Sequence, residues 1–398
     1  MVTKIFDTRI EGLRGFAAFT VALWHIFYFK FKLDPGYAAT GEIFEVNFAH
    51  NSVLLFFIIS GYVIGLTNRN EFSFPIAGSY LKKRWVRLYP LYFISIISAI
   101  IIWPVDNLKT ILSNLLFGQY LFTDTIEANP VLWTLNFEVI YYLLFILLIA
   151  INVHLIFWIT LSFILAHIIL VWNHFPIMIS DYATGWFFWL TGLYAAWQLP
   201  KSTLPERSNK IFSMLFAFLA TSFLEPDLIF YGQLHLLEKF EWHIINIGDF
   251  FAFPVCFSLV LHASGRVFRF HKLLDKIILI MMATVCAALI FMHKYESSMV
   301  FQAGIIFCII AIMLQFISFK YDVFAKLTKL GNISYAIYII HIPVMFALGQ
   351  ITILSGSVYT FIIRAIIFIG LTIWISYLLE KKLQPVIKSF FFAGTKKN

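Results

Sequence analysis

Arg14 and His25 stand eleven residues apart inside the first apolar run of the sequence. Eleven residues is close to three helical turns, so both side chains are expected on one helix face, about 16 Å apart along the axis. An imidazole can act as a general base near neutral pH, and a guanidinium can bind phosphate oxygens. The alternative is structural, with Arg14 extending to the membrane surface and His25 holding a helix contact.

Two arginines precede the third apolar run. Arg84 and Arg87 are three residues apart, which puts both on one helix face, and Pro90 follows at the predicted start of the span. Two guanidinium groups at this spacing suit bidentate phosphate binding. A basic cluster that only sets the membrane topology would have the same composition, so both interpretations stay open.

A carboxylate occurs in the fourth apolar run. Glu138 lies one to two helical turns into this run and is predicted to share the outer half of the membrane with His25. There it could orient the imidazole and stabilise its protonated form. A structural hydrogen bond to a neighbouring helix is the alternative.

The eleventh run begins with a polar stripe. Ser334, Tyr338 and His341 recur at near-helical spacing from the expected cytoplasmic side, which indicates either a cavity or a seam between helices. In the second run, Ser60 and Gly61 are interpreted as residues that let two helices pack closely.

The composition indicates the class of protein. Of 398 residues, 61% are hydrophobic and 13% are charged, whereas soluble domains average about 45–50% apolar and about 25% charged. Uninterrupted apolar runs of about 17–25 residues fit membrane-spanning helices better than barrel strands. We therefore predict an all-α, polytopic transmembrane helical bundle. The net charge of +8 lies in short clusters between the runs, so it indicates topology and not nucleic-acid binding.

Ten to twelve spans are predicted, all within one membrane domain, 1–398, that has its core at about 5–385. Lys and Arg concentrate in alternate connections, so both termini are expected to be cytoplasmic. A short interfacial helix is expected at 71–87, a basic cytoplasmic tail at 386–398, and no separate soluble domain. The twelve candidate spans are 10–30, 51–67, 88–104, 132–150, 154–172, 183–199, 211–230, 246–263, 276–293, 299–318, 333–352 and 358–379.

Together these segments resemble the acyltransferase type 3 family of membrane acyltransferases, which includes bacterial enzymes that acylate cell-envelope glycans. The resemblance depends on motifs that occur in the family's order along nearly the whole chain. They are EGLRGFAA with His25, FFIISGY, RWVR with Pro90, WTLNFEVIYY, LGNISYAIYIIH, and a closing Glu380 with Pro385.

The resemblance implies a multi-pass O-acyltransferase of the bacterial inner (plasma) membrane. It would move an acyl group, expected to be acetyl, from cytoplasmic acyl-coenzyme A to a hydroxyl of an extracytoplasmic or lipid-linked glycan, such as a polysaccharide or lipopolysaccharide unit. His25, Glu138 and Arg14 would be catalytic, with His25 as the general base and Glu138 or Tyr141 orienting it. The residues expected to bind the coenzyme are Arg14, Arg84, Arg87, Ser334 and Tyr338. No metal is expected.

Two departures from the family pattern are present. Twelve candidate spans exceed the family's usual ten, and the terminal Glu-x-Pro is loosened to Glu380 and Pro385, which leaves the role of that pair open. The alternative function is a transporter or flippase for a lipid-linked sugar or acyl donor, because buried ionisable residues also mark substrate paths. Four points are left open: the identity of the acceptor, the identity of the acyl group, whether a covalent acyl-enzyme forms, and the oligomeric state.

Overall fold

The computed structural model describes residues 8–44, 46–69, 72–172, 174–202, 208–226, 245–293, 298–317 and 323–392. Within these ranges the regular secondary structure is helical and contains no β-strand, which confirms the all-α prediction. Four parts of the predicted elements lie outside the described residues: residue 71 of the interfacial helix, residues 227–230 of the seventh span, residue 318 of the tenth span and residues 393–398 of the tail.

Each of the twelve predicted spans overlaps at least one α-helix of the structure. The helices in chain order are α1 (Thr8–Tyr28), α2 (Lys30–Leu33), α3 (His50–Thr67), α4 (Phe74–Ile102), α5 (Leu108–Leu115), α6 (Trp133–Ile151), α7 (Leu155–His167), α8 (Ile177–Gln198), α9 (Ser208–Leu224), α10 (Phe253–Ser264), α11 (His271–Phe291), α12 (Met299–Met313), α13 (Val323–Gly331), α14 (Ser334–Gly349), α15 (Val358–Tyr377) and α16 (Gln384–Phe392). A π-helical turn, Leu378–Leu383, joins α15 to α16.

Several of these helices are suited to a membrane by length and composition. Among the described residues, five stretches are long and apolar enough to cross a bilayer, and they are His50–Thr67, Phe74–Ile102, Pro130–Ile151, His271–Phe291 and Val358–Phe392. Shorter apolar helices of 10–17 residues occur between them. The protein is therefore a multi-pass membrane protein, while the number of spans and the cytoplasmic termini stay predictions.

The third span differs from its prediction. The expected interfacial helix at 71–87 and the span after it form one continuous helix, α4, so Pro90 lies in the helix interior and not at its start. The start signal lies further upstream, where the Ser73 hydroxyl accepts a hydrogen bond from the Ile76 amide and Pro75 occupies the first turn. An interior proline is tolerated in a membrane helix because neighbouring groups can satisfy the freed carbonyl.

The chain divides into two compact units. Unit one comprises Met1–Ala17, Glu45–Arg69 and Asn152–Thr328, and unit two comprises Ala18–Phe44, Asn70–Ile151 and Lys329–Asn398. In unit one, α3 packs along α8 and α9 packs along α12. In unit two, α14 packs against α4 and α15, and α16 packs against α4. The predicted tail is therefore helical as far as Phe392.

Glycines allow α3 and α8 to approach closely. A Cβ atom added to Gly61 would lie 1.9 Å from the Trp189 carbonyl oxygen, and one added to Gly192 would lie 1.9 Å from that of Ile58. Beside this contact, the Trp189 indole donates a hydrogen bond to the Ser60 hydroxyl at 3.3 Å. The interpretation of Ser60 and Gly61 as packing residues is confirmed.

In unit two, a buried carboxylate joins the segment after α2 to the start of α15. Asp34 accepts hydrogen bonds from the Ser355 hydroxyl, from the Thr360 hydroxyl at 2.9 Å and from the amides of Gly36 and Gly356, both at 3.1 Å. Burial by itself would raise the pKa of Asp34, but these hydrogen bonds outweigh burial and hold the pKa below its ordinary value. The carboxylate is therefore ionised at neutral pH and stabilises this connection.

A buried arginine completes the same connection. Arg364 of α15 is 4% exposed, and its guanidinium donates to backbone carbonyls of Leu33 at 2.7 Å, Leu348 at 2.5 Å and Ile351 at 2.8 Å. Its hydrogen bonds satisfy carbonyl groups at a helix end and in the loop that follows, which would otherwise be buried without a donor.

Candidate active site

Two histidines of unit two face each other. His25 Nδ1 lies 2.8 Å from the Val21 carbonyl oxygen and 3.2 Å from His341 Nε2, while His341 Nδ1 lies 3.0 Å from the Ile337 carbonyl oxygen. A carbonyl can only accept a hydrogen bond, so we assign the proton to Nδ1 in both rings. His341 Nε2 then accepts from His25 Nδ1, and His25 Nε2 retains its lone pair. This tautomer leaves His25 Nε2 able to accept a proton.

Aromatic rings surround the His25 imidazole, which is 6% exposed. The Phe29 ring stacks on it at 5.6 Å between centroids, and the Trp24 ring meets it edge-on at 4.7 Å. Tyr28 stacks on Trp24 at 4.6 Å and is itself largely exposed. The rings shield the imidazole from water while an aromatic face next to it stays accessible.

Arg84 lies between two tyrosine rings. Its guanidinium carbon is 5.5 Å from the centroid of Tyr80 and 5.7 Å from that of Tyr142, which is cation–π distance. The Tyr142 hydroxyl donates to the Glu138 carboxylate one turn earlier on α6. Among the described residues, Arg84 Nε and the Tyr80 hydroxyl are buried without a hydrogen-bond partner. An unsatisfied buried donor costs about 1–3 kcal/mol, so an anionic ligand at Arg84 would be favoured.

Arg87 has a carboxylate partner. One turn after Arg84 on α4, its guanidinium donates to Glu380 Oε2 and lies 5.4 Å from the centroid of the Tyr335 ring. The Glu380 side chain is 4% exposed and belongs to the π-helical turn after α15. Much of the Arg87 charge is therefore compensated within the protein. The sequence left the role of Glu380 open, and in the structure its carboxylate pairs with this arginine.

Helix α14 connects the arginines to the histidines. Tyr335 contacts Arg87 and donates through its hydroxyl to the Leu88 carbonyl at 2.9 Å. One turn later, the Tyr338 hydroxyl accepts from the Thr134 hydroxyl at 3.0 Å, and the Tyr338 and His341 rings are 6.2 Å apart. Tyr335 and His341 are six residues apart, or about 9 Å along the helix. Helix α14 therefore contacts Arg87 through Tyr335 near its start and His25 through His341 two turns later.

The predicted site residues are only partly brought together. Glu138 and Arg84 meet at Tyr142. The hydrogen-bond partners described for His25 are Val21 and His341, and neither Glu138 nor Tyr141 is among them. Glu138 was predicted beside His25 from its depth alone, whereas its carboxylate accepts from the Tyr142 hydroxyl one turn along the same helix.

Two other predicted residues have local partners. Arg14 belongs to unit one, where its guanidinium donates to the Glu11 carboxylate at 3.0 Å. The Ser334 hydroxyl is buried and donates to the Gly331 carbonyl at 2.8 Å, which helps to start α14. Roles for Arg14 and Ser334 in coenzyme binding stay predictions.

Sequence reasoning missed several contacts of this site. Glu380 is 293 residues from Arg87, and His341 is 316 residues from His25, so no local pattern joins them. Tyr80 carried no signal beyond its position one turn before Arg84, and Tyr335 belongs to the LGNISYAIYIIH motif but had no predicted role. In unit one, His262, His271 and Asp275 form a group that could hold a metal ion, which was not expected.

A model of a known protein family matches the chain. It is described as an acyltransferase domain and matches residues 7–227 and 203–381, which include both histidines and both arginines of the site. No curated protein and no solved structure matches the chain.

Proposed function

The chain belongs to the acyltransferase type 3 family and is a membrane acyltransferase, and from this premise we propose that it moves an acetyl group from acetyl-coenzyme A to a hydroxyl of a cell-envelope glycan. The observation that carries the proposal is the His25–His341 contact. It supports a buried imidazole with a defined tautomer and an unprotonated Nε2, as a general base requires.

In the proposed reaction, His25 Nε2 removes the proton of the acceptor hydroxyl as its oxygen attacks the thioester carbonyl carbon. A carbon–oxygen bond forms and the carbon–sulfur bond breaks. The His25 imidazolium then returns its proton to the leaving thiolate, so the products are the acetyl ester and free coenzyme A. His341 Nε2 accepts the His25 Nδ1 hydrogen throughout, and this hydrogen bond strengthens when His25 becomes cationic.

The donor would bind at the arginine end of α14. Arg84 supports this proposal because it offers a buried donor, Nε, without a protein partner among the described residues. The ion pair with Glu380 makes Arg87 the less available of the two arginines, and it positions the Arg87 guanidinium beside Tyr335. The phosphates of the donor would lie at Arg84, with the thioester toward His25.

We also propose from which side of the membrane each substrate approaches. The positive-inside pattern puts Arg84 near the cytoplasm, where acyl-coenzyme A is made, and His25 deeper in the membrane. The acceptor hydroxyl would then approach from the outer side, past the aromatic rings of Trp24 and Tyr28. A bacterial inner-membrane location accords with a donor from the cytoplasm and an acceptor in the envelope.

The test is acyl transfer from radiolabelled acetyl-coenzyme A to envelope glycan by the purified full-length protein. We expect transfer with wild type, loss with His25→Ala and little change with His154→Ala, since His154 is exposed. Equal transfer by wild type and His25→Ala would contradict the general base. Binding of the donor without transfer to any glycan fraction would favour a transporter or flippase instead.

The acceptor can be identified directly. Mass spectrometry of envelope glycans from cells with and without the gene would show both the modified sugar and the mass of the added group. An added mass of acetyl supports the proposed donor, and a larger mass would replace it with another acyl-coenzyme A.

A further inference from the structure

Three buried side chains of unit one bring their ligand atoms together. His262 Nε2 lies 3.0 Å from Asp275 Oδ2 and 3.2 Å from His271 Nε2, and His271 Nε2 lies 4.0 Å from Asp275 Oδ2. We propose that His262, His271 and Asp275 bind a divalent transition-metal ion, with zinc as the ion that fits best. None of the three residues is among those proposed for acyl transfer, so the inference goes beyond that function.

The distances suit one shared ion. In a tetrahedral zinc site the metal–ligand bonds are about 2.0–2.2 Å, so neighbouring ligand atoms are about 3.4 Å apart. The three separations here, 3.0, 3.2 and 4.0 Å, lie on both sides of that value. Two imidazole nitrogens and one carboxylate oxygen are ligands that zinc accepts, and three protein ligands leave a position for water.

The ligand atoms also face one another. His262 Nε2 lies against the carboxylate of Asp275 and, at the same time, against Nε2 of His271. In the absence of a metal, one proton on His262 Nε2 would be shared between these two acceptors. A cation at the centre of the group would instead be bound through the lone pairs of all three residues.

The local fold holds the three ligands in place. Helix α10 ends at Ser264, and Gly265 follows in the left-handed region with φ of +67°, which turns the chain toward α11. His271 and Asp275 are one turn apart near the start of α11 and so lie on one face. A metal bound here would clamp the end of α10 to the start of α11.

A serine hydroxyl orients the Asp275 carboxylate. The Ser258 hydroxyl, one turn before His262 on α10, donates to Asp275 Oδ1 at 2.7 Å and leaves Oδ2 nearest the histidines. Such a hydrogen bond orients a ligand and is typical of groups around metal sites. His262 and Ser258 are fully buried, and Asp275 is 5% exposed, so water competes little for these atoms.

The two arginines between α10 and α11 contact groups other than Asp275. The Arg266 guanidinium donates to the Leu199 carbonyl at 2.6 Å, and the Arg269 guanidinium lies 5.5 Å from the centroid of the Phe270 ring. Neither contact involves Asp275, whose described ionisable neighbours are His262 and His271. A cation bound by the two neutral imidazoles would therefore be offset by the Asp275 carboxylate.

The test measures metal content in the full-length protein, purified in detergent, treated with a chelator and then reloaded with zinc. We expect about one zinc per chain in wild type and a clear loss in His271→Asn and Asp275→Asn. The matched control is His50→Asn, because His50 pairs with Asp249 at 2.6 Å in the same unit, and this pair does not belong to a group of three possible metal ligands within the described residues. Full zinc content in both ligand variants would overturn the proposal.

Two measurements on wild type keep the test decisive if the variants do not fold. Zinc added after chelation should raise the thermal unfolding midpoint, since a ligand bound only by the folded state stabilises it. Cobalt(II) should give visible absorption bands of a low-symmetry nitrogen and oxygen site. A folded wild type that binds neither ion would show that the three residues form a hydrogen-bonded cluster only.

Discussion

His341 Nε2 lies 3.2 Å from His25 Nδ1, and each of the two rings is anchored by its own Nδ1 to the carbonyl one turn earlier in its helix. The rotation of both imidazoles is therefore fixed by backbone atoms of α1 and α14. In the proposed mechanism His341 is a positioning residue, because it contacts His25 and has no proposed contact to either substrate.

Substitutions of His341 should separate hydrogen bonding from packing. We expect His341→Leu to lower kcat by about 10–100-fold, because a hydrogen bond to a charged group contributes about 1.5–3 kcal/mol. His341→Gln keeps an acceptor near the position of Nε2 and should retain a clearly larger fraction of kcat, with the donor KM unchanged in both. Equal loss in both variants would indicate that His341 matters only for packing.

Arg84 should govern donor affinity. Arg84→Gln is expected to raise the KM for acyl-coenzyme A by at least about tenfold and to weaken its dependence on ionic strength, since a charge-assisted contact to phosphate is lost. Lys83→Gln removes an exposed charge from the same helix and serves as the control. Initial rates at several salt concentrations provide the measurement, and equal KM values in the two variants would contradict the assignment.

Arg87 and Glu380 should be coupled in stability. Glu380→Gln and Arg87→Met are each expected to lower the free energy of unfolding by about 2 kcal/mol, because each leaves a mostly buried charge without its partner. The double variant should lose less than the sum of the two. A double-mutant cycle of thermal stability tests this, and simple additivity would show that the ion pair contributes nothing.

Asp34 should make the thermal stability of the protein depend on pH in the acidic range. Its pKa is lower in the folded protein than in the unfolded chain, where it is about 3.9. The stabilisation is therefore complete above pH of about 4 and is lost as the pH falls through the folded pKa. We expect Asp34→Asn to lower the unfolding midpoint at neutral pH, with a difference from wild type that shrinks in acid. Asp106→Asn, at an exposed site, should show no such trend.

The close contact of α3 and α8 should not tolerate a methyl group. Gly61→Ala is expected to destabilise the protein by about 1–3 kcal/mol, because the new Cβ meets the Trp189 carbonyl. Gly78→Ala adds the same methyl group where no atom lies within 4 Å and should be neutral or slightly stabilising. Thermal unfolding in detergent compares the two, and similar midpoints would contradict the close approach.

The sequence by itself determined the helical class and the approximate position of the helices that overlap the predicted spans. It also predicted Arg84, Glu138 and the stripe on α14 as site residues. These features depend on local properties, since the length of an apolar run and the spacing of side chains on one helix are set by neighbouring residues. The predicted break between a helix at 71–87 and a span from residue 88 was wrong because Pro90 was taken to mark the start of the span, whereas α4 continues through it.

Only the tertiary structure decided which side chains meet. His341 is the partner of His25 and Glu380 that of Arg87, across about three quarters of the chain, and neither contact has a local signature. Glu138, expected beside His25, has the Tyr142 hydroxyl as a donor instead. Hydrogen bonds and ion pairs act over a few ångströms, so they depend on how helices distant in sequence pack, which hydrophobic periodicity alone does not specify.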